Sequence, residues 1–283
     1  MSVGQERPGL ANRLAVYGLL AAMAVAMLLP FYWLVRSSLA DNLEVLKPIE
    51  RLRDFVPSRL HPGNYPAVFR AMPLWRYLLN TVIITGSVVV GVVVSSSLCA
   101  YAFAFCRVPY GRLAFYGVLA TMMLPGVVTL IPTFILFREL GWIDSFKPLI
   151  VPAFCGSPFA IFLFRQFFLT LPRELIEAAR MDGATGLQVY WSVVLPLSRP
   201  AVVTVAIFAF MGAWNDFMGP LIFLNSQEKW TLQLGLSSFM GEIANQWNLL
   251  MAATVMVLAP VLVVFFFLQR YFVRGIALTG LKG

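Results

Sequence analysis

The sequence contains little charge and few of the residue types that build catalytic or metal sites. Charged residues make up 12% of its 283 positions, histidine occurs once and cysteine three times. Three scattered cysteines give neither a disulfide framework nor the spacing of metal ligands. The phosphate loop GxxxxGK[ST] and the hydrolase motifs HExxH and GxSxG do not occur. We therefore predict no catalytic residue, no metal site and no cofactor bound by this chain.

Apolar residues dominate instead. They account for 60% of the chain, and the mean hydropathy is +0.81, whereas soluble domains are about 45–50% apolar and about 25% charged. The formal net charge of +8 could indicate a nucleic-acid partner, but the basic residues lie at the ends of the apolar runs. Such placement is typical of a membrane topology signal. We expect a lipid bilayer as the surroundings of the chain and no nucleic acid.

Six apolar runs are long enough to cross a bilayer. The first, residues 14–35, would form a helix roughly 33 Å long. We predict one all-α, polytopic transmembrane domain over residues 1–283. Its helices lie at about 14–35, 79–105, 113–137, 148–169, 201–224 and 249–271.

Proline and glycine predict irregularities in this plan. Pro125-Gly126 indicates a kink or break in the third helix, and Gly156-Ser157-Pro158 indicates one in the fourth. Five prolines within residues 36–77 predict an irregular, extended loop there. Residues 225–248 read as a polar loop.

The distribution of basic residues predicts the orientation. With the N-terminus inside, eleven of the 21 basic residues lie in the two termini, the 106–112 turn and the 170–200 segment with Arg165 at its edge. The two short loops on the opposite side hold only three basic residues. The charges of the long 36–77 loop have less influence on orientation, because long loops cross the membrane largely regardless of their charge. We predict cytoplasmic termini, a cytoplasmic tail at 272–283, and extracytoplasmic loops at 36–77 and 225–248.

The longest patterned polar segment is residues 170–200. It predicts a short amphipathic helix over Arg173–Asp182, ended by Gly183, whose backbone tolerates the left-handed conformation of a helix end. Thr185 and Gln188 match a capping box that starts a second helix, which Pro196 would end. From spacing alone, the segment could equally be an ordinary amphipathic connector on the membrane surface.

The residues of this segment carry a family resemblance. Glu177-Ala178-Ala179, then Asp182-Gly183-Ala184, then Leu195-Pro196 resembles the EAA loop of the membrane subunits of binding-protein-dependent ABC importers. Two further matches follow in order: residues 64–81 resemble the carbohydrate-uptake branch, and residues 269–283 resemble the ending of its maltose-type second permease subunits. The tail departs from the pattern at 276–279, which is less glycine-rich.

The resemblance implies a type I ABC importer permease fold and a set of contacts. The ATPase-coupling residues would be Glu177, Ala178, Ala179, Arg180, Asp182, Gly183, Ala184 and Pro196. The C-terminal ATPase contacts would be Arg274, Gly275, Gly280, Leu281, Lys282 and Gly283. The partners would be a homologous second permease subunit, two copies of a cytoplasmic ATPase that bind ATP and magnesium, and an extracytoplasmic solute-binding protein. By position alone, the 225–248 loop would reach toward that binding protein.

Two sets of residues within the apolar runs remain open to more than one interpretation. Asn80, Asn215 and Asp216 could line the translocation path or could form packing hydrogen bonds between helices, since an unpaired intramembrane carboxylate is costly. Ser87, Gly91 and Ser95 recur every four residues and predict a face on which another helix packs closely.

The function predicted from these features is one half of an ATP-driven import pathway for a sugar or oligosaccharide, working by alternating access. An importer of glycerol-3-phosphate or glycerophosphodiesters is the alternative within transport. A membrane-embedded enzyme acting on lipids or glycolipids would need clustered acids, histidines or metal ligands, which the sequence lacks. A passive channel would not need an ATPase-docking loop.

Overall fold

The structure, a computed structural model, describes residues 10–242 and 246–279. Its α-helices are α1 Leu10–Ser38, α2 Asn42–Leu46, α3 Asn64–Ala71, α4 Leu74–Phe105, α5 Gly111–Ala120, α6 Gly126–Glu139, α7 Lys147–Ile150, α8 Pro158–Phe168, α9 Arg173–Met181, α10 Gly186–Val189, α11 Leu195–Leu197, α12 Arg199–Trp214, α13 Met218–Phe223, α14 Leu232–Glu242 and α15 Trp247–Thr279. Short 3₁₀ segments occupy Leu52–Phe55, Thr121–Met123, Val151–Cys155 and Gln227–Lys229, and a π turn occupies Tyr190–Val194. These ranges contain no strand, so the predicted all-α class is confirmed.

The helices suit a multi-pass membrane protein. Within the described residues, four stretches are long and apolar enough to cross a bilayer, at 12–38, 74–105, 147–168 and 247–267. Two helix pairs reach the same standard only together, because each is bent: residues 111–139 by 98° and residues 186–214 by 81°. Counting each bent pair as one span gives up to six spans. The first bend falls at Leu124-Pro125, where the sequence predicted a break.

The chain divides into two compact units, residues 1–72 with 238–258 and residues 73–237 with 259–283. In the first unit, α3 is fixed to the end of α1 by Asn64. Its side-chain amide donates to the carbonyls of Ser38 (2.9 Å) and Ala40 (3.0 Å), and its oxygen accepts from Asn248 (3.0 Å). Asn64 is 8% exposed, and buried polar groups of this kind specify one packing arrangement.

The 36–77 region is more regular than its prolines predicted. It contains α2, a 3₁₀ turn and the eight-residue α3. Pro66 does not prevent α3, because it is the third residue of the helix and the first four amides of a helix have no partner within it. The density of prolines therefore does not exclude a helix when a proline lies in its first turn.

The second unit is built around α4, which packs on α8, α12 and the 151–155 segment. Its core is aromatic near the end of α4, where Tyr101, Phe164, Phe168 and Tyr190 are all buried. On another face of α4, the Ser95 hydroxyl donates to the carbonyl of Ala153 (3.1 Å). A Cβ built on Gly91 would lie 2.8 Å from the Phe154 ring. Ser87 is half-buried on the same helix.

Replacing Gly91 should therefore destabilise the protein. In the Gly91→Ala variant the new methyl group would press on Phe154 and on the Ala153 backbone, and overpacking of this kind costs about 1–3 kcal/mol. The midpoint of thermal unfolding in detergent should fall by several degrees. Gly86→Ala on the same helix is the matched control, because a Cβ there meets no atom within 4 Å. Equal midpoints for the two variants would contradict the close packing.

The predicted fifth helix is interrupted. Residues 201–224 do not form one helix: α12 ends at Trp214 and α13 begins at Met218. The proline ring of Pro220 would clash with the carbonyl of Asp216 in a continuous helix, and Pro220 has no amide to donate to it. The Asp216 carboxylate instead accepts from the amide of Gly219 (3.0 Å), as a side chain that caps a new helix does.

The predicted polar loop at 225–248 contains the eleven-residue helix α14. Leu232 and Leu234 are buried, and Gly235 lies so close to the Tyr77 ring that a Cβ would collide with it. The side-chain amide of Asn80 donates to the carbonyls of Glu228 and Trp230, each at 2.9 Å. The entry to α14 is therefore fixed to the start of α4.

Asp144 fixes the other side of the same segment. Its carboxylate accepts from the amides of Asn225 (3.0 Å) and Ser226 (2.9 Å), from the Ser226 hydroxyl (2.6 Å) and from the Lys229 ammonium (2.8 Å). The Lys229 ammonium, followed by the Ser226 groups, holds the pKa of Asp144 well below its usual range. The carboxylate form is therefore the one that stabilises this segment.

This network predicts a pH dependence with a definite sign. Because the pKa is lower in the folded state, the stabilisation is complete above the ordinary pKa near 4 and declines as the pH falls from there toward the lowered pKa of the folded protein. Asp144→Asn should lower the thermal midpoint by about 2–4 °C at pH 7 and by less at pH 3. Thermal unfolding of both proteins between pH 7 and pH 3 measures this. A constant difference across the range would contradict the role of the charge.

Candidate coupling segment

The segment singled out in the sequence is an amphipathic helix followed by a sharp turn. The helix α9 buries Ile176, which is 4% exposed, against the core of the second unit. Glu177, Ala178 and Asp182 are exposed, and Met181 is 87% exposed. One side of α9 therefore packs against the rest of the chain. The other side exposes an acid, a small residue and a large apolar side chain at the surface of the chain.

Gly183 ends α9 as its sequence position predicted. Its φ is +85°, a conformation that costs glycine little and other residues more. The amide of Gly183 donates to the carbonyl of Arg180, and the amide of Ala184 donates to that of Ala179, both at 3.0 Å. These bonds satisfy carbonyls that the helix end leaves free.

The second helix begins with the predicted capping box. The Thr185 hydroxyl accepts from the amide of Gln188, and the Gln188 side chain accepts from the amide of Thr185. The sequence predicted that Pro196 would end this helix, but the helix continues to Leu197 and the chain bends at Ser198. A π turn ends at Val194, two residues before Pro196, and its wider hydrogen-bond register accommodates a residue that would break a regular helix.

Three hydrogen bonds and one aromatic contact join the segment to the end of α4. The Tyr101 hydroxyl donates to the carbonyl of Gly186 (2.9 Å), and the hydroxyls of Tyr190 and Ser97 lie 2.7 Å apart. Arg180 donates to the carbonyl of Phe105 (3.4 Å). The Tyr101 and Tyr190 rings meet edge to face at 5.4 Å. These contacts join α9, the turn and the second helix to the end of α4.

Sequence reasoning missed these anchoring residues. Ser97 and Tyr101 lie in the apolar run at 79–105, where their polar groups gave no sign of a partner, and Tyr190 lies in the second helix of the 170–200 segment. One signal was present: Ser97 and Tyr101 are four residues apart and share a helix face. Nothing in the sequence pairs that face with Tyr190.

The remaining predicted site residues are spread over several places. Asn80 holds the 228–230 backbone, and Asn215 donates to the carbonyl of Met211 and accepts from Gln233 at 3.4 Å. Arg274 and Gly275 lie in α15, which continues as helix to Thr279 where a tail was predicted from residue 272. Gly280, Leu281, Lys282 and Gly283 lie outside the described residues.

The described residues contain no group of three or more histidine, cysteine, aspartate or glutamate side chains that could hold a metal ion. The three cysteines are free.

Comparison with known proteins agrees with this picture. Residues 93–278 match the model of the binding-protein-dependent transport system inner membrane component family. The chain is 33% identical over 272 residues to the arabinooligosaccharides transport system permease protein AraQ of Bacillus subtilis, covering 96% of each chain. It is 34% identical over 265 residues to the sn-glycerol-3-phosphate transport system permease protein UgpE of Pectobacterium atrosepticum, covering 89% of this chain and 91% of that protein.

A solved structure shares the fold. The crystal structure of a bacterial ABC transporter involved in the import of the acidic polysaccharide alginate contains a chain that superposes with a TM-score of 0.82 and 26% identity, covering 95% of this chain and 100% of that one. The family match covers well over half of the sequence, and the relatives match nearly end to end. The protein is a membrane-spanning permease of the binding-protein-dependent ABC importer family.

Proposed function

We propose that the protein forms half of the translocation pathway of an importer for a sugar or oligosaccharide, and that α9 couples this pathway to ATP hydrolysis by a partner. The observation that carries the proposal is the division of α9 into a buried side at Ile176 and an exposed side at Glu177, Ala178 and Met181. An exposed apolar residue beside an acid suits a protein partner with a basic, partly apolar cleft.

The coupling runs from α9 through the Gly183 turn to α4. Ala178 is exposed and Ala179 only half-buried, and their small side chains let a partner approach the helix axis closely. Two nucleotide-dependent positions of α9 would then bias two arrangements of the membrane helices, which is the requirement for coupling between distant sites. ATP and magnesium would be bound by the ATPase subunits and not by this chain.

The complete transporter would contain a homologous second permease, two ATPase subunits and an extracytoplasmic binding protein. The exposed apolar surface of α1 supports contact with the second permease and with the bilayer. Leu14, Leu19 and Val25 of α1 are 64–65% exposed, so α1 needs lipid or a second permease around it. Arg274 and the residues that follow it would add a second contact with the ATPase.

The orientation proposed from the basic residues places α9 and both termini in the cytoplasm of a prokaryotic cell. The Asp144 network and α14 would then lie outside, where the 225–248 segment faces the binding protein. A segment held on one side by Asn80 and on the other by Asp144 is well suited to transmit contact with that partner.

Purification of the intact complex tests the proposal. Co-expression of the chain with the proteins encoded beside it should yield an assembly that contains an ATPase and a second permease. In proteoliposomes, the binding protein loaded with its solute should stimulate ATP hydrolysis and drive accumulation of that solute. A chain that purifies alone and hydrolyses lipids or glycolipids, or that conducts solute without ATP, would overturn the proposal.

A further inference from the structure

A cavity of about 310 Å³ lies within the second unit, where α12 is interrupted. Its walls come from α4 (Thr81), from the last turn of α12 (Gly212 and Ala213), from the break itself (Asp216) and from the residue before α14 (Thr231). Cavities of about 300 Å³ and more are the size of small-molecule sites. This one has the room of roughly ten water molecules, enough for one sugar ring with its hydroxyl groups.

Asp216 faces this cavity with acceptor capacity to spare. Its Oδ1 atom accepts from the amide of Gly219, and a carboxylate has about four lone-pair sites, most of which that single bond leaves available. The carboxylate borders the open space of the cavity. It lies within a membrane-spanning segment, where a charge with few hydrogen-bond partners costs free energy. The Thr81 hydroxyl is already used, since it donates to the Tyr77 carbonyl and accepts from the Leu232 amide.

The walls also define the charge of a possible occupant. Within the part of the chain that the structure describes, the lining contains one carboxylate and no lysine, arginine or histidine. A phosphate or carboxylate group of a solute would be repelled by Asp216 in this environment of low dielectric. A neutral solute rich in hydroxyl groups would instead donate a charge-assisted hydrogen bond to it.

The geometry points to a solute-contact site in this subunit: the cavity receives one sugar ring of a neutral carbohydrate, and Asp216 accepts a hydrogen bond from one of its hydroxyl groups. The inference rests on the proposed transport function and deepens it by naming the solute class. The small residues Gly212 and Ala213 keep the space open, and Ile84, Val88 and Leu149 supply the apolar wall that a sugar ring's C–H face contacts.

Filling the cavity is the first test. A Cβ on Gly212 meets no atom within 4 Å, so Gly212→Leu should fold and should occupy open space at the cavity wall. In proteoliposomes with the complete transporter and its binding protein, ATP-driven uptake should fall at least tenfold while ATP hydrolysis stimulated by the binding protein stays within twofold. Gly86→Leu is the matched control, since Gly86 also has no neighbour within 4 Å and does not line the cavity.

Occupancy of the cavity by a solute is measured by the alkylation rate of a cysteine introduced at position 213. In a background with Cys99, Cys106 and Cys155 replaced by alanine, Ala213→Cys in the assembled transporter is alkylated with a small maleimide in the presence of arabinotriose, maltose, an alginate trisaccharide or sn-glycerol 3-phosphate. A neutral sugar should slow alkylation at least fivefold. Adding Asp216→Asn should remove most of that protection, whereas the amide oxygen of asparagine can still cap α13 at Gly219.

The outcomes separate this inference from the function on which it rests. Uptake that is equal in the Gly212→Leu and Gly86→Leu transporters, or protection by sn-glycerol 3-phosphate, by the acidic trisaccharide, by sodium ions alone or by none of the probes, would overturn the cavity as a neutral-sugar site. A wild-type transporter that still couples ATP hydrolysis to uptake would leave the proposed function intact in each of these cases. Loss of that wild-type coupling would count against the proposed function itself.

Discussion

Reversing the charge of Glu177 should reduce ATP-driven uptake at least about tenfold without preventing membrane insertion. Glu177 is exposed on α9, so its replacement by arginine disturbs no buried contact of the chain. If α9 docks in a basic cleft, however, Glu177→Arg places like charges together, which costs several kcal/mol; each 1.4 kcal/mol corresponds to a factor of ten. ATP hydrolysis by the partner should continue and become independent of the binding protein.

A matched charge reversal distinguishes coupling from a general effect of charge. Glu139 is an exposed carboxylate at the end of α6, paired with Arg138 at 2.9 Å, and exposed pairs of this kind contribute little to stability. Glu139→Arg should leave uptake within about twofold of the wild type. Measurements of uptake and ATP hydrolysis in the same vesicles provide the comparison. Normal coupled uptake by Glu177→Arg would show that α9 does not dock through this charge.

Replacing Gly183 should also reduce ATP-driven uptake, because it should change the angle between α9 and α10. Gly183 has φ +85° and a Cβ there meets no atom within 4 Å, so the Gly183→Val variant would be strained by its backbone alone. Left-handed backbone in a residue other than glycine costs of order 1–3 kcal/mol, and valine is among the least tolerant because its side chain branches at Cβ. The turn should relax by reorienting α9, and uptake should fall by about tenfold.

Gly141 offers a control that carries the same strain elsewhere. It has φ +66° and likewise no neighbour within 4 Å of a Cβ. Gly141→Val should lower the thermal midpoint about as much as Gly183→Val, by several degrees, while leaving the ratio of uptake to ATP hydrolysis unchanged. Uncoupling by both variants to the same extent would show that strain in general, and not the angle between α9 and α10, is responsible.

The sequence predicted those features that depend on local patterns. The end of α9 at Gly183 and the Thr185–Gln188 capping box follow from backbone and side-chain preferences over a few residues, and the structure shows both. Apolar length predicted the membrane-spanning helices, and Pro125 predicted the 98° break. The family was also evident, because its motif is long and ordered.

Features that depend on distant contacts were not predictable in the same way. Asn80 and the 228–230 backbone are separated by about 150 residues, and no periodicity pairs them. The interruption of the fifth helix could have been found, because Pro220 excludes a regular helix at Asp216. The helix α14 and the continuation past Pro196 required tertiary packing and a π turn that propensities do not describe.

The central claim is that α9 lies in the cytoplasm and contacts the ATPase. It is tested most directly by the side of the membrane on which Met181 lies and by the protein that Met181 contacts. Met181 is 87% exposed on α9, and Met181→Cys can be placed in the assembled transporter with the three native cysteines replaced by alanine. We predict that a membrane-impermeant maleimide labels it from the cytoplasmic side only, and that a short bifunctional maleimide joins it to the ATPase in a manner that changes with nucleotide. Labelling from the outside, or no cross-link to an ATPase in any nucleotide state, would contradict the account.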